Sequence, residues 1–172
     1  EEFHAPEVVM VYSANGLGDM SRRYHKLYGK RLCRGKYRDE ERPVLINNWE
    51  GTYFDFDEEK IVNIAKTAQK AGIELMVLDD GWFGKRNNDD CSLGDWYENK
   101  EKLPDGIPGL AKKVTDLGMQ FGLWFEPEMV SPDSDLYRAH PDWCLHVNGR
   151  NRSEGRNQLI LDLSREDVCD YI

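Results

Sequence analysis

Two adjacent carboxylates, Asp79 and Asp80, stand at the end of an apolar run and are followed directly by Gly81 and Trp82. The run, residues 73–78, is short and mostly apolar, which is typical of a strand buried in a parallel sheet. Carboxylates accept hydrogen bonds from sugar hydroxyls, and an indole offers a flat apolar face to a sugar ring. Helix capping is the alternative for a single Asp. The pair followed by Gly-Trp favours a sugar site.

The sequence around this pair predicts strands that alternate with helices. Strands are predicted over residues 44–50, 73–78, 119–125 and 157–163. One helix is predicted from a cap at Asp57 to Gly72, a second from Pro108 to Gly118, and a third begins after a cap at Ser164. Strands that alternate with helices form parallel sheets, so we expect an α/β fold.

Polar and aromatic residues gather at the predicted carboxyl ends of these strands, where α/β barrels carry their chemistry. They are Trp49, Asp79, Asp80, Trp124, Glu126 and Glu128. Trp124 could either pack in the core or stack against a sugar. The two glutamates could either anchor loops through backbone amides or bind a ligand. The connection over residues 81–107 is long, and long connections are commonly functional. Because a TIM (β/α)₈ barrel takes about eight strands and 250 residues, residues 43–172, with three to four predicted strands, are predicted to be a piece of a larger barrel.

Residues 1–42 differ in charge from the rest and are predicted to be a separate, connecting segment. They carry nine basic and seven acidic residues, whereas the remainder carries 14 and 25. A strand is predicted over residues 7–12, followed by a helix capped by Asp19 or Ser21. The polar run 34–42 is read as the boundary with residues 43–172.

The composition limits the classes of partner. A net charge of −9 and a pI near 5.0 disfavour nucleic acid and anionic membranes. No apolar run reaches the roughly 20 residues that span a bilayer, and the first residues do not resemble a signal peptide. The cysteines Cys33, Cys91, Cys144 and Cys169 are scattered. Two disulfides are the alternative, but free buried thiols are favoured, which predicts a reducing, cytoplasmic location.

The carboxylate pair suits sugar binding better than bond cleavage. Retaining glycosidases use two carboxyl groups about 5–5.5 Å apart that face one bond. Neighbouring side chains on a strand point to opposite faces, so Asp79 and Asp80 are poorly placed to flank one bond and better placed to bind two hydroxyls. His140, Cys144 and His146 fit no common zinc spacing, so no metal is expected.

Several motifs resemble the α-galactosidases of glycoside hydrolase family 36. They are Trp49-Glu50 with Tyr53-Phe54, LDDGWFG at 78–84, LGDW at 93–96, KLP at 102–104, GLWFEPEMV at 122–130, HPDW at 140–143 and GRNQL at 155–159. Residues 6–18 resemble the piece that joins the amino-terminal β-sandwich of that family to its barrel. The resemblance covers nearly the whole chain in consistent order and spacing.

The resemblance implies retaining hydrolysis of terminal α-1,6-linked galactose, as in melibiose and raffinose, without metal or organic cofactor. It places residues 43–172 in the amino-terminal part of a (β/α)₈ catalytic barrel, as its first three to four βα units. It also places Trp49, Asp79, Asp80, Trp124 and Arg156 in the galactose pocket. The family's catalytic nucleophile and acid/base aspartates are expected beyond residue 172, so this polypeptide alone is predicted to be inactive. The longer protein that would contain this chain is expected to be a homo-oligomer.

Two alternatives share these motifs. A galactosyl transferase of the raffinose-synthase kind would use the same pocket with a sugar acceptor, and acceptor preference cannot be read from these loops. An inactive sugar-binding fragment would need no catalytic pair. A metal-dependent barrel hydrolase is disfavoured because the chain lacks clustered histidines.

Overall fold

A computed structural model describes residues 2–172 and divides the chain into two units, the first ending at Arg42 and the second running from Pro43 to Ile172. No helix among these described residues is both long and apolar enough to cross a membrane. The four cysteines are free thiols, of which only Cys144 is buried, so the prediction of buried thiols holds for that one alone.

The first unit is built around helix α1, Gly16–Arg31, which the sequence predicts but which starts earlier than expected. Asn15 occupies the N-cap position, so neither Asp19 nor Ser21 is the cap. The predicted strand over residues 7–12 is wrong: the segment has no ladder partner among the described residues, and an apolar run forms a strand only beside another strand. Its recorded side-chain contact is the Tyr24 hydroxyl, which donates to the Val9 carbonyl at 3.0 Å.

The second unit contains a three-stranded parallel sheet of β1 (Leu45–Asn47), β2 (Leu75–Leu78) and β3 (Gln120–Leu123), in that spatial order. These strands confirm three of the predicted positions, although each is shorter than predicted. The first ends sooner because Trp49–Thr52 turns into the short helix α2.

Two helices cover the sheet and bury the main core. Helix α3, Glu58–Lys70, begins after Asp57, whose carboxylate accepts from the Lys60 amide at 2.8 Å, as predicted. Helix α4, Gly106–Thr115, begins two residues before Pro108, so the proline lies in the first turn and does not start the helix. The buried apolar side chains packed together here are Phe56, Ile61, Ala65, Ala68, Met76, Leu78, Trp82, Phe83, Leu93, Leu103, Leu110, Val114 and Met119.

The remaining segment forms a second, smaller core. Strands β4 (Met129–Val130) and β5 (Leu159–Ile160) pair antiparallel, with α5 (Asp135–Ala139), a 3₁₀ turn (Pro141–Trp143) and α6 (Glu166–Tyr171) around them. The strand predicted over residues 157–163 is therefore two residues long, and it does not extend the parallel sheet. Arg165 holds the N-cap position of α6, so Ser164 is not its cap.

Candidate carbohydrate-binding site

The carboxyl ends of the three parallel strands lie level with one another. Asn47 is in register with Val77, and Val77 is in register with Gly122. The Trp124 amide donates to the Leu78 carbonyl at 2.9 Å, which extends the pairing past the end of β3. The residues that follow each strand therefore meet at one edge of the sheet.

Asp79 is held by two asparagines at the end of β1. The Asn48 side-chain oxygen accepts from the Asp79 amide at 2.8 Å, and Asn47 Nδ2 donates to Asp79 Oδ2 at 2.5 Å. Asp79 Oδ1 accepts from the Asp80 amide at 2.7 Å. The carboxylate is half-buried, so it is fixed in place and still reaches solvent.

Asp80 takes a different partner, the guanidinium of Arg86 in the segment between β2 and α4. Arg86 Nη2 donates to Asp80 Oδ2 at 2.8 Å, and Nε lies 3.0 Å from Oδ1. Both side chains are buried. The two adjacent carboxylates therefore have separate neighbours.

Lys102 fixes the backbone beside these carboxylates. Its ammonium donates to the carbonyls of Phe54 and Gly81 at 3.0 Å and of Arg86 at 3.1 Å. Burial lowers the pKa of Lys102 below its ordinary value. Gly81 has a φ of +101°, and a side chain there would press on Phe54. The turn after Asp80 is thus specified by a glycine and a half-buried cation.

Trp82 does not offer its face to a sugar, which corrects the first reading of the motif. It is 3% exposed and packs edge-on against Phe83 and Phe125. Its indole nitrogen donates to the Trp124 carbonyl at 3.0 Å. Trp82 is therefore a core residue that ties the segment after β2 to the end of β3.

Trp49 and Trp124 are the half-buried indoles at the strand ends. Trp49 begins α2, and its ring lies edge-on to Tyr53 and Phe54, with centroids 5.2 and 5.0 Å apart. Trp124 stacks on Phe83 at 6.5 Å. Both rings are braced by other aromatics while part of their surface stays accessible, which suits a sugar platform.

Arg156 lies in a tight turn, and its recorded partners are Glu126 and Gln158. Arg156 and Asn157 have φ values of +52° and +58°, a left-handed conformation that is uncommon outside glycine and is concentrated at functional turns. The side-chain Nδ2 of Asn157 donates to Asp90 Oδ1. The turn therefore bridges the segment after β3 and the segment after β2, and it places Arg156 beside Glu126.

Four residues that hold the site in place were not predicted from the sequence: Asn47, Asn48, Arg86 and Lys102. The asparagines directly precede Trp49, and polar residues at a strand end are the available signal. Arg86 lies in a stretch rich in charge, where a buried arginine looks like any surface residue. Lys102 lies in the KLP motif at 102–104, but only the fold shows that its ammonium binds three backbone carbonyls.

Acceptor carboxylates and half-buried indoles lie at the open edge of a parallel sheet in an α/β protein, an arrangement that suits a sugar-binding site. Comparison with known families agrees: the Melibiase family model matches residues 2–172. The chain belongs to the melibiase family.

Curated relatives are much longer than this chain. It is 72% identical over 172 residues to alpha-galactosidase AgaA of Geobacillus stearothermophilus and covers 24% of that protein. It is 53% identical over its whole length to alpha-galactosidase Mel36A of Lactobacillus acidophilus and again covers 24% of the relative. The chain therefore spans about a quarter of the length of these proteins.

Solved structures show the same fold. The crystal structure of the family 36 AgaA enzyme superposes with a TM-score of 0.90 at 71% identity, over 94% of this chain and 22% of that one. An alpha-galactosidase from Thermus thermophilus, described in complex with an aryl galactoside, gives 0.68 at 28% identity, over 86% of this chain and 30% of that one. The α/β architecture is thus that of the family 36 α-galactosidase.

Proposed function

We propose that this chain forms much of the galactose pocket of a retaining α-galactosidase that releases terminal α-1,6-linked galactose from melibiose- and raffinose-type oligosaccharides. The observation that carries the proposal is the position of Asp79 at the accessible end of β2, where Asn47 and Asn48 hold it. Strand β2 lies between β1, which leads to Trp49, and β3, which leads to Trp124. Family membership supports it, and one AgaA structure is described as a raffinose complex.

Each pocket residue has a separate proposed role. Asp79 and Asp80 accept from galactose hydroxyls, Trp49 and Trp124 bound the ring, and Arg156 reaches the pocket from the turn it occupies. An epimer would move a hydroxyl away from one of these carboxylates and leave part of its hydrogen-bonding capacity unused, which weakens binding of the epimer. These residues therefore select galactose, but they do not cleave the glycosidic bond.

The proposed catalytic pair lies outside residues 1–172. The chain covers 24% of AgaA, and its three parallel strands are proposed to be the first units of a (β/α)₈ barrel. In such a barrel the further strands would contribute the nucleophile and the acid/base at the same edge. We call the longer polypeptide that would carry this chain the parent enzyme. No metal or organic cofactor forms part of the proposal.

The proposal is tested by incubating the parent enzyme and the isolated chain separately with an aryl α-galactoside and measuring release of the aryl group. The parent should release the aryl group, whereas the chain alone should not exceed the rate of its own Asp79→Asn variant. Proton NMR of the first product formed by the parent should show the α anomer of galactose. Turnover by the isolated chain, or a parent without turnover, would contradict the proposal.

Location and assembly belong to the same proposal. Free thiols at all four cysteines suit a reducing, cytoplasmic compartment, and a homo-oligomeric parent is proposed. Fractionation of the source cells and light scattering of the parent test these two points.

A further inference from the structure

Arg86 is the largest side chain that the second unit buries completely, with 1% of its surface exposed. It lies six residues after Asp80 in the segment between β2 and α4. Every nitrogen of its guanidinium has a partner. Nε and Nη2 donate to Asp80, and Nη1 donates to the carbonyls of Asp89 at 3.0 Å and Cys91 at 2.8 Å. The side chain is therefore fixed in one orientation.

Stability alone is a weak reason for such a pair. Replacing a buried ion pair by apolar side chains of similar volume is often neutral or stabilising. The guanidinium fork, by contrast, fixes both oxygens of a carboxylate in one plane, which an apolar side chain or a single ammonium does not do. What Arg86 supplies beyond packing is the orientation of Asp80.

The backbone of Arg86 is fixed as well. Lys102 donates to the Arg86 carbonyl at 3.1 Å and to the Gly81 carbonyl at 3.0 Å, on either side of the segment that connects Asp80 to Arg86. The Lys102 ammonium also lies 4.7 Å from the centre of the Phe56 ring, inside the core. Asp80 is thus connected through Arg86 and Lys102 to the packed part of the unit.

We propose that Arg86 is the positioning residue that aims the Asp80 carboxylate at one galactose hydroxyl. A carboxylate has about four directions from which it can accept a hydrogen bond. Because Arg86 occupies those on its own side, the remaining directions define where a sugar hydroxyl can bind Asp80. Arg86 acts through Asp80 and does not touch the sugar. The inference rests on the proposed function, since it assigns the second member of the proposed hydroxyl-binding pair.

The test compares an aryl α-galactoside with its monodeoxy analogues in the parent enzyme. Asp80→Asn identifies the hydroxyl that Asp80 reads, because this variant no longer discriminates against the analogue that lacks it. Discrimination is the ratio of kcat/KM for the aryl α-galactoside to kcat/KM for an analogue. In Arg86→Met this ratio should fall roughly tenfold or more for that same analogue, whereas the ratios for the other analogues should stay unchanged. Arg86→Lys, which keeps the charge without the fork, should show the same selective loss to a smaller extent.

Arg138→Met is the matched control, because Arg138 also pairs with carboxylates but is largely exposed. It should leave all discrimination ratios unchanged. An Arg86→Met enzyme that loses activity equally on every analogue would show a merely structural role and overturn the inference. If Arg86→Met does not fold, the ratios for Arg86→Lys decide in the same way. A wild-type parent without turnover overturns the proposed function instead, and calorimetry of galactose and deoxygalactose binding then tests Arg86.

Discussion

The Asn48 side-chain oxygen accepts a hydrogen bond from the backbone amide of Asp79 at 2.8 Å, across 31 residues of sequence. Asn48 is 2% exposed, and its Nδ2 donates in turn to Thr52 Oγ1 at 2.8 Å. One buried amide therefore connects the end of β1, the last residue of α2 and the end of β2. This contact fixes the backbone of Asp79 at the point where it leaves β2.

Replacing Asn48 by Ala should destabilise the chain by about 1–3 kcal/mol, because it leaves a buried backbone donor without a partner. In the parent enzyme the same change should raise KM for the galactoside, since Asp79 is released. Thr52→Val is the matched control, because it removes the hydroxyl that contacts Asn48 and the Tyr53 carbonyl and leaves the Asn48–Asp79 hydrogen bond in place. Urea unfolding measures the first effect, and steady-state kinetics the second. Equal destabilisation by both variants would argue against a special role for the Asn48–Asp79 contact.

Gly94→Ala should destabilise the chain far more than Gly118→Ala. Both glycines have positive φ, +102° and +80°, so both variants carry the strain of a left-handed alanine, about 1–2 kcal/mol. A side chain at Gly94 would also meet Leu136 at 2.9 Å and Val130 at 3.0 Å, whereas the space around Gly118 is open. Thermal unfolding of the two variants measures the difference. Similar melting temperatures would show that the second core yields to the extra methyl group.

Tyr97 should be the tyrosine that titrates last as pH rises. Its hydroxyl donates to Asp135 Oδ2 at 2.7 Å, and this bond raises the pKa of Tyr97 to about 12. The raised pKa favours the protonated folded form, so its contribution to stability is complete below pH 10 and is lost between pH 10 and 12. Tyrosinate absorbance of the wild type and of Tyr97→Phe locates this step. A wild type that ionises all eight tyrosines together near pH 10 would contradict the assignment.

Asp95 should make the stability of the chain depend on pH in the acidic range. Its carboxylate accepts from the amides of Asp135 and Leu136 at 3.1 and 2.9 Å, while burial raises its pKa above the ordinary value. The folded state therefore binds the proton more tightly than the unfolded state, and stability falls as pH rises from about 4 through the folded pKa. Urea unfolding of Asp95→Asn, which has no proton to lose, should lack this decline. A constant difference between the two proteins across the range would contradict the prediction.

Local signals in the sequence predict the elements well. Asp57 and Gly72 bracket α3 because a capping carboxylate and a left-handed glycine act within a few residues of themselves. The strand predicted over residues 7–12 fails for the opposite reason, since a strand exists only with a neighbour. The same limit hides the antiparallel pairing of Leu159–Ile160, which depends on a partner 30 residues away.

Side-chain direction at the site is less predictable. Trp82 next to two carboxylates has the composition of a sugar platform, yet the turn at Gly81 carries it into the core. Arg86 is only six residues from Asp80, but burial of a loop arginine depends on which segments pack over it. Residue types at a strand end thus indicate a site, while the fold decides which of them face the ligand.

Trp49 and Trp82 should separate binding from stability when each is changed to Phe. Trp82→Phe removes the bond to the Trp124 carbonyl in the core and should cost about 1–3 kcal/mol of unfolding free energy. Trp49→Phe keeps an aromatic ring against Tyr53 and Phe54 and should cost less, but in the parent enzyme it should raise KM for the galactoside because the platform is smaller. Urea unfolding and steady-state kinetics of both variants measure the two effects. A larger KM for Trp82→Phe than for Trp49→Phe, at a temperature where both are folded, would show that the indoles have been assigned the wrong way round.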